Sequence, residues 1–292
     1  MNFPRDLVIA GCGYTGEAIG RAALSLGLCV LASTRSQTRA AELQDAGMHP
    51  ILCDHTAGDV LQPRQLQPDS WGVISFPPGS NTHLRAWLSW MADAGITRVV
   101  YLSATSVYGS CHGEWVDERT PPRPDSKRGI ERLQAEREFQ TQCHSLGLQA
   151  CVVRLPGIHG PGRTLRDRLE AGQYRMVGDG TMFSNRIHVA DIADATLFLL
   201  SHPDGAGTWI VSDDEPFRVR DLVAWMCRVL DRPDPPRISL EEVHPDVRDF
   251  WQGDRRCSNR AIRALGWAPN YPDFRSALLA IWTAEGRPVL PD

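Results

Sequence analysis

The chain has 292 residues, 42% of them hydrophobic and 23% charged, which is ordinary for a globular enzyme built as one large α/β domain or two coupled lobes. Its formal net charge of −4 supplies no broad basic field, so a nucleic-acid partner is not expected. No apolar stretch is long enough to cross a membrane and the first residues do not read as a leader, so the expected compartment is the cytoplasm.

The first element is the apolar run Leu7 to Ala10, which enters the loop Gly11-Cys12-Gly13-Tyr14-Thr15-Gly16. Gly11, Gly13 and Gly16 fit the G-x-G-x-x-G spacing, in which one glycine makes the tight turn, one admits a pyrophosphate and one lets the helix pack on the strand. The diphosphate would rest on unpaired N–H groups at the start of a helix expected from about Glu17 to Leu26, where the helix dipole favours an anion. A second apolar run, Leu28 to Ser33, ends about 17 residues after Gly16, near where this motif places the reader of the adenosine ribose. Asp or Glu there would accept from a 2′-hydroxyl, but Thr34-Arg35-Ser36 offers an arginine flanked by hydroxyls, which suits a 2′-phosphate. NADP is therefore expected in preference to NAD. The expected cofactor set is Gly11, Cys12, Gly13, Tyr14, Thr15, Gly16, Ser33, Thr34, Arg35, Ser36 and Asp54.

Further strand candidates follow at Pro50 to Cys53, Gly72 to Phe76, Val99 to Ser103 and Ala150 to Leu155, alternating with helix candidates as a doubly wound parallel sheet requires. Between the fourth and fifth strands, Leu84, Trp87, Leu88 and Met91 recur at i, i+3, i+4 and i+7, a stripe that packs on a sheet. Trp90 lies off that stripe and is a candidate for a subunit contact. Residues 1–160 thus read as a dinucleotide-binding Rossmann domain. Beyond Pro156 come Gly157, Gly160, Pro161 and Gly162 and an arginine-rich segment from Arg163 to Arg175, so residues 161–292 read as a smaller C-terminal substrate lobe. Within it, about 186–230 is expected to return to the Rossmann core, with a strand at Thr208 to Ser212 and a helix at Arg220 to Leu230. Arg163, Arg166, Arg168, Arg175 and Arg186 offer charge for an anionic ligand, although arginines this frequent usually form a solvated face. The eight cysteines show no C-x-x-C pair and no Cys/His ligand spacing, so they read as free thiols with no zinc site, and Cys29, Cys53 and Cys151 read as small buried hydrophobes.

Leu102-Ser103-Ala104-Thr105-Ser106-Val107-Tyr108-Gly109 resembles the serine-rich strand end before Val-Tyr-Gly in the extended short-chain dehydrogenase/reductase family, also called the NAD-dependent epimerase/dehydratase family. Arg154-Leu155-Pro156-Gly157 with Gly160-Pro161-Gly162, Ile187-His188-Val189-Ala190-Asp191-Ile192-Ala193 and Leu265-Gly266-Trp267-Ala268-Pro269 are similar to three further motifs of that family, in the right order. The resemblance implies a dinucleotide on a doubly wound sheet and a small-molecule substrate that in this family is often a nucleotide sugar. A homodimer is a further expectation.

Departures from the pattern decide the chemistry. The family usually works with a Ser or Thr, a Tyr and a Lys four residues later, the Lys lowering the Tyr pKa so that the phenolate takes a hydroxyl proton. Aligning on Val107-Tyr108-Gly109 puts Ala104 at the Ser/Thr position. Aligning Pro124 to Glu136 on the family's Pro-x-Ser-x-Tyr-Gly-x-x-Lys-x-x-x-Glu puts Arg128 at the Tyr and Arg132 at the Lys. A guanidinium stays protonated and does not replace a tyrosine as proton carrier. Candidates for the missing chemistry are Ser103, Thr105, Tyr108 and Lys127, the chain's only lysine. For Tyr108 the competing reading is packing beneath the site, and for Lys127 a solvated first-turn position. Two functions fit: an NADP-dependent oxidoreductase or epimerase/dehydratase with atypical proton transfers, or a non-catalytic NADP(H)-binding sensor.

Overall fold

The computed structural model describes residues 6–54, 65–79, 81–244, 248, 251, 253–287 and 289. It divides into two compact units, one of Met1–Ala104, Ile130–Arg154 and Val189–Trp209, the other of Thr105–Gly129, Leu155–His188 and Ile210–Asp292. The chain thus visits the second unit at Thr105–Gly129, long before residue 160, and returns to the first only over Val189–Trp209.

The first unit carries seven strands, β1 (Asp6–Ala10), β2 (Cys29–Thr34), β3 (His49–Leu52), β4 (Ser70–Ile74), β5 (Ile96–Ala104), β6 (Gln149–Leu155) and β7 (Gly207–Ile210), in the order β3-β2-β1-β4-β5-β6-β7. The β1–β2, β1–β4, β2–β3 and β4–β5 pairs are parallel. Leu7 to Ala10 and every residue of β4 are buried, as in strands covered on both faces, which is why these segments read as unbroken apolar runs. The strand order reverses at β1, so a crevice opens beyond the carboxyl ends of β1 and β4.

Five helices belong to this unit: α1 (Tyr14–Ser25), α2 (Gln37–Asp45), α3 (Asn81–Asp93), α4 (Lys127–Ser145, its first turn in the second unit) and α5 (Val189–Ser201). Helix α1 begins three residues earlier than the sequence pattern suggests, because Gly13, at φ −88° and ψ −155°, already acts as its N-cap. On α3, Leu84, Trp87, Leu88 and Met91 are buried as expected. Trp90 is corrected from a candidate subunit contact to a core residue: it is buried and meets Trp87 edge-on, ring centroids 5.7 Å apart. Cys29 is corrected as well, being only half-buried as the first residue of β2, whereas Cys53 and Cys151 are buried. All eight cysteines are free thiols.

The second unit is built from short paired strands around its own core. Helices α6 (Val219–Val229) and α7 (Phe274–Ala284) enclose Phe217, Leu222, Trp225, Met226, Phe274 and Trp282, with Trp225 stacked on Trp282 at 5.8 Å. Helix α7 is started by Asp273, whose carboxylate accepts from the Arg275 and Ser276 N–H groups at 2.8 and 2.9 Å. Strand Gly157–His159 pairs in parallel with Arg186–His188, setting Gly157 opposite Arg186 and His159 opposite His188. No helix among the described residues is long and apolar enough to cross a membrane.

Candidate functional site

The glycine-rich loop and the end of β2 line one cavity of about 740 Å³ in the first unit, which gathers Gly11, Cys12, Gly13, Ser33, Thr34, Arg35, Ser36 and Asp54. Gly11 sits at φ +82°, and a Cβ there would lie 2.8 Å from the Phe76 side chain, so backbone geometry and packing both require glycine. Its N–H donates to Ser33 Oγ at 2.8 Å, and the Cys12 N–H donates to the Ser33 carbonyl at 2.8 Å, which fixes the loop to β2. Gly13 differs. A Cβ on it would meet nothing within 4 Å, and as N-cap it offers the first-turn N–H groups no side-chain acceptor. A diphosphate fits that cradle, since anions favour a helix start lacking a side-chain cap. Gly16 packs its backbone on Ile9, while Tyr14 and Thr15 stand on the first turn of α1; these three do not line the cavity.

At the ribose end, Arg35 is exposed and Ser36 N-caps α2, accepting from the Arg39 N–H at 3.2 Å. Arg39 also lines the cavity, and its guanidinium is paired with Glu17 and, at 2.7 Å, with Glu42. Those partners hold the Arg39 pKa above its ordinary value. Arg39 was missed in the sequence, although Ser36-x-x-Arg39 at a helix start was a usable signal. Ser75, Phe76, Pro77, Pro78 and His83 complete the wall. They follow β4, and only the strand order brings them to the glycine loop.

The expected catalytic positions are divided between the units, with Ser103, Ala104 and Arg132 in the first and Thr105, Tyr108, Lys127 and Arg128 in the second. Ser103 donates to Glu136, which also receives Arg154 Nη2 at 2.7 Å and Nε at 3.1 Å; all three residues are buried. This network engages the Ser103 hydroxyl inside the fold. Arg132 Nη1 donates to the Tyr101 hydroxyl at 3.1 Å and to the Leu102 carbonyl at 2.9 Å. That is a tyrosine beside a cation, but burial pushes the Tyr101 pKa up against the opposing pull of Arg132, and its ring stacks on Phe139 in the core. Tyr101 therefore does not provide a displaced phenolate.

In the second unit, Thr105 is buried and hydrogen-bonds with the Cys257 side chain, whose pKa burial pushes up to about 12. Tyr108 is buried and donates to the Asp117 carbonyl at 2.8 Å. Lys127 is exposed at the start of α4.

Arg128 lines a second cavity, also of about 740 Å³ and wholly within this unit, together with Arg163, Arg168, Arg175 and Arg186. Arg166, the remaining arginine of that expected group, instead packs over Trp282 at 5.1 Å and pairs with Glu170 at 2.8 Å. Two buried side chains missed in the sequence join the lining, His159 and Tyr174. His159 Nε2 and the Tyr174 hydroxyl have no hydrogen-bond partner among the described residues. Burial, with the nearby charges of Arg186 and His188, pushes the His159 pKa down to about 3, so the ring is neutral at pH 7. Gly157 makes room for Arg186: a Cβ there would lie 2.0 Å from Arg186 Nη1. Behind the cavity, burial pushes the Asp213 carboxyl well above its ordinary range against the opposing charge of Arg186. No cluster of three or more His, Cys, Asp or Glu suited to a metal occurs among the described residues.

A doubly wound parallel sheet with a glycine-rich turn at its switch point defines the dinucleotide-fold class. Residues 82–211 match the family model described as the NAD dependent epimerase/dehydratase family, the family that the sequence motifs resemble. A solved structure of a functionally unknown conserved protein from Silicibacter pomeroyi DSS is similar at 31% identity and a TM-score of 0.85, covering 96% of this chain and 98% of that one. Protein YeeZ of Escherichia coli K12 is 28% identical over 289 residues, 92% of this chain and 97% of its own. A UDP-glucose 4-epimerase of Azospirillum brasilense is 24% identical over 319 residues, 92% of this chain and 88% of its own.

Proposed function

We propose that the chain is an NADP(H)-dependent oxidoreductase of the epimerase/dehydratase family whose proton transfers are made without the family's usual Ser, Tyr and Lys. The observation that carries this reading is the cavity of the first unit, where the open Gly13 cradle and the Thr34-Arg35-Ser36 corner, with Arg39 beside it, line one space. Gly11, Gly13 and the first turn of α1 would hold the diphosphate, and Arg35 and Arg39 would face a 2′-phosphate. A bound nicotinamide would supply the hydride acceptor or donor. Similarity to a UDP-glucose 4-epimerase supports a nucleotide sugar as the broad substrate class. A cytoplasmic homodimer belongs to the same proposal.

The alternative is a non-catalytic NADP(H) sensor, favoured by the hydroxyls of Ser103 and Tyr108 both being engaged within the fold. Titration calorimetry with NADPH and NADH, followed by nicotinamide absorbance across a panel of nucleotide sugars and carbonyl compounds, separates them. Turnover on any panel member supports the oxidoreductase. Tight NADPH binding with no turnover supports the sensor, and failure of both nucleotides to bind overturns both readings.

A further inference from the structure

The arginine-rich segment of the second unit turns its own acids away from the cavity there. Glu170 accepts from Arg166 Nε at 2.8 Å and Asp167 from Arg287 Nη1 at 2.7 Å, and neither arginine lines that space. Arg168 and Arg175 do line it, and no carboxylate pairs with either among the described residues. The Arg168 guanidinium lies over the Tyr174 ring at 5.6 Å, and Arg175 Nη1 donates to the Gly172 and Tyr174 carbonyls at 2.7 and 3.0 Å. Arg128, exposed on the first turn of α4, lines the same cavity, and its side chain has no ion pair, hydrogen bond or ring contact among the described residues. Arg163 and Arg186 bring the guanidinium groups of the lining to five, against one lining carboxylate, that of Glu242.

Like charges gathered round one space raise its potential and draw an anion into it. A nucleotide sugar brings the two negative charges of its diphosphate, and these leave the lining positive even when the Asp213 carboxyl beside Arg186 is counted as charged. The base is neutral, so the sugar is the part left to carry a further anionic group. A carboxylate suits that place, because a guanidinium meets it with two parallel hydrogen bonds. We propose that this cavity selects a nucleotide sugar whose sugar bears a carboxylate, a nucleoside-diphosphate uronate, and that Arg128 reads that carboxylate. Arg168 and Arg175 are already held by a ring and by carbonyls, whereas Arg128 has only water to displace. The inference rests on the nucleotide-sugar reading given above, with this cavity as the substrate site, and narrows it to one class. Arg128 acts here on specificity and takes no part in proton transfer, since its guanidinium stays protonated.

The test is titration calorimetry on the full chain with UDP-glucuronate and UDP-glucose, which differ in the carboxylate alone. UDP-glucuronate is expected to bind about tenfold tighter, as a charge-assisted pair to an exposed guanidinium allows. Arg128→Gln should remove the preference by weakening UDP-glucuronate about tenfold while holding UDP-glucose within about twofold. Its melting temperature should not fall, because the native side chain has no partner among the described residues to lose. Arg128→Lys, which keeps the charge and loses the planar fork, should restore part of the preference. Equal affinities for the two sugars on the native chain overturn the inference and leave the nucleotide-sugar reading standing. An equal loss for both sugars in Arg128→Gln also overturns it, and would make Arg128 a contact of the diphosphate. Binding of neither sugar overturns the nucleotide-sugar reading and this inference with it.

Discussion

The two units each enclose a cavity of about 740 Å³, but they treat polar groups in opposite ways. In the first unit the polar side chains near the strand ends are tied to one another: Ser103 to Glu136, Glu136 to Arg154, Arg132 to Tyr101, Arg39 to Glu17. What it leaves for a ligand is backbone, at the start of α1. In the second unit, backbone is consumed in short strand pairs and side chains are left over, with His159 Nε2 and Tyr174 Oη buried and unpartnered among the described residues. A backbone cradle recognises a shape common to many dinucleotides and tolerates sequence change around it. Side-chain recognition is particular to one ligand class, so under the function proposed above the second unit would set this chain's specificity.

The largest effect expected from breaking that contrast is at Gly13. A valine there keeps an extended backbone that β-branched residues accept and its Cβ meets no protein atom within 4 Å, yet the side chain would fill the space a pyrophosphate needs. Calorimetry should show loss of measurable NADPH binding with an unchanged melting temperature. Retained affinity would mean that the loop is only a structural turn. Second is Glu136→Ala, which removes the carboxylate that pairs with the buried Arg154 guanidinium and accepts from Ser103. Breaking a buried pair from one side costs about 3–5 kcal/mol, to be read from denaturant unfolding. A loss under about 1 kcal/mol would show that water reaches Arg154 and that the network is not the anchor described here.

Much of the first unit was legible in the sequence because strands buried on both faces leave unbroken apolar runs, and because the glycine spacing records a turn that only glycine makes. The start of α1 was misread since its cap is a glycine with no side-chain signature, and Trp90 since the buried face of α3 is wider than the four-residue stripe. Partnership was much less legible. Ser103 reads as a catalytic candidate by its place beside Ala104, but its acceptor lies 33 residues away on α4. In the second unit almost nothing that defines the cavity is local: His159 and Tyr174 become notable only because folding buries them without partners.

His159 gives the next smaller effect and sharpens the contrast by pH. Its folded pKa of about 3 lies below the usual imidazole value near 6.5, so the unfolded chain binds more protons between the two. Stability from the neutral ring is thus full above pH 6.5 and is lost as pH falls toward 3. Between pH 7.5 and 4.5 the loss is roughly 2–3 kcal/mol. His159→Phe should remove that component from the pH dependence of unfolding. Superimposable profiles for the two proteins would mean that the ring is hydrated or paired in the native state.

The smallest effect concerns the one place where the first unit does present charged side chains. Arg35 and Arg39 both line its cavity, but they are held differently: Arg39 is paired with Glu17 and Glu42, while Arg35 is exposed. A 2′-phosphate drawn to Arg39 has to compete with two carboxylates already on that guanidinium, so its net gain there is small. Arg35, which has no ion pair among the described residues, has only water to give up. NADPH should accordingly bind more tightly than NADH, and Arg35→Ala should remove most of the difference, about 1.5–3 kcal/mol for a charge-assisted contact, whereas Arg39→Ala should remove less. Because a contact to an exposed arginine is screened, the preference should also shrink as salt is raised. Equal affinities for the two nucleotides before mutation would show that Thr34-Arg35-Ser36 does not read the 2′-phosphate. A larger loss at Arg39 than at Arg35 would show instead that Glu17 and Glu42 hold Arg39 in place for the phosphate rather than competing with it.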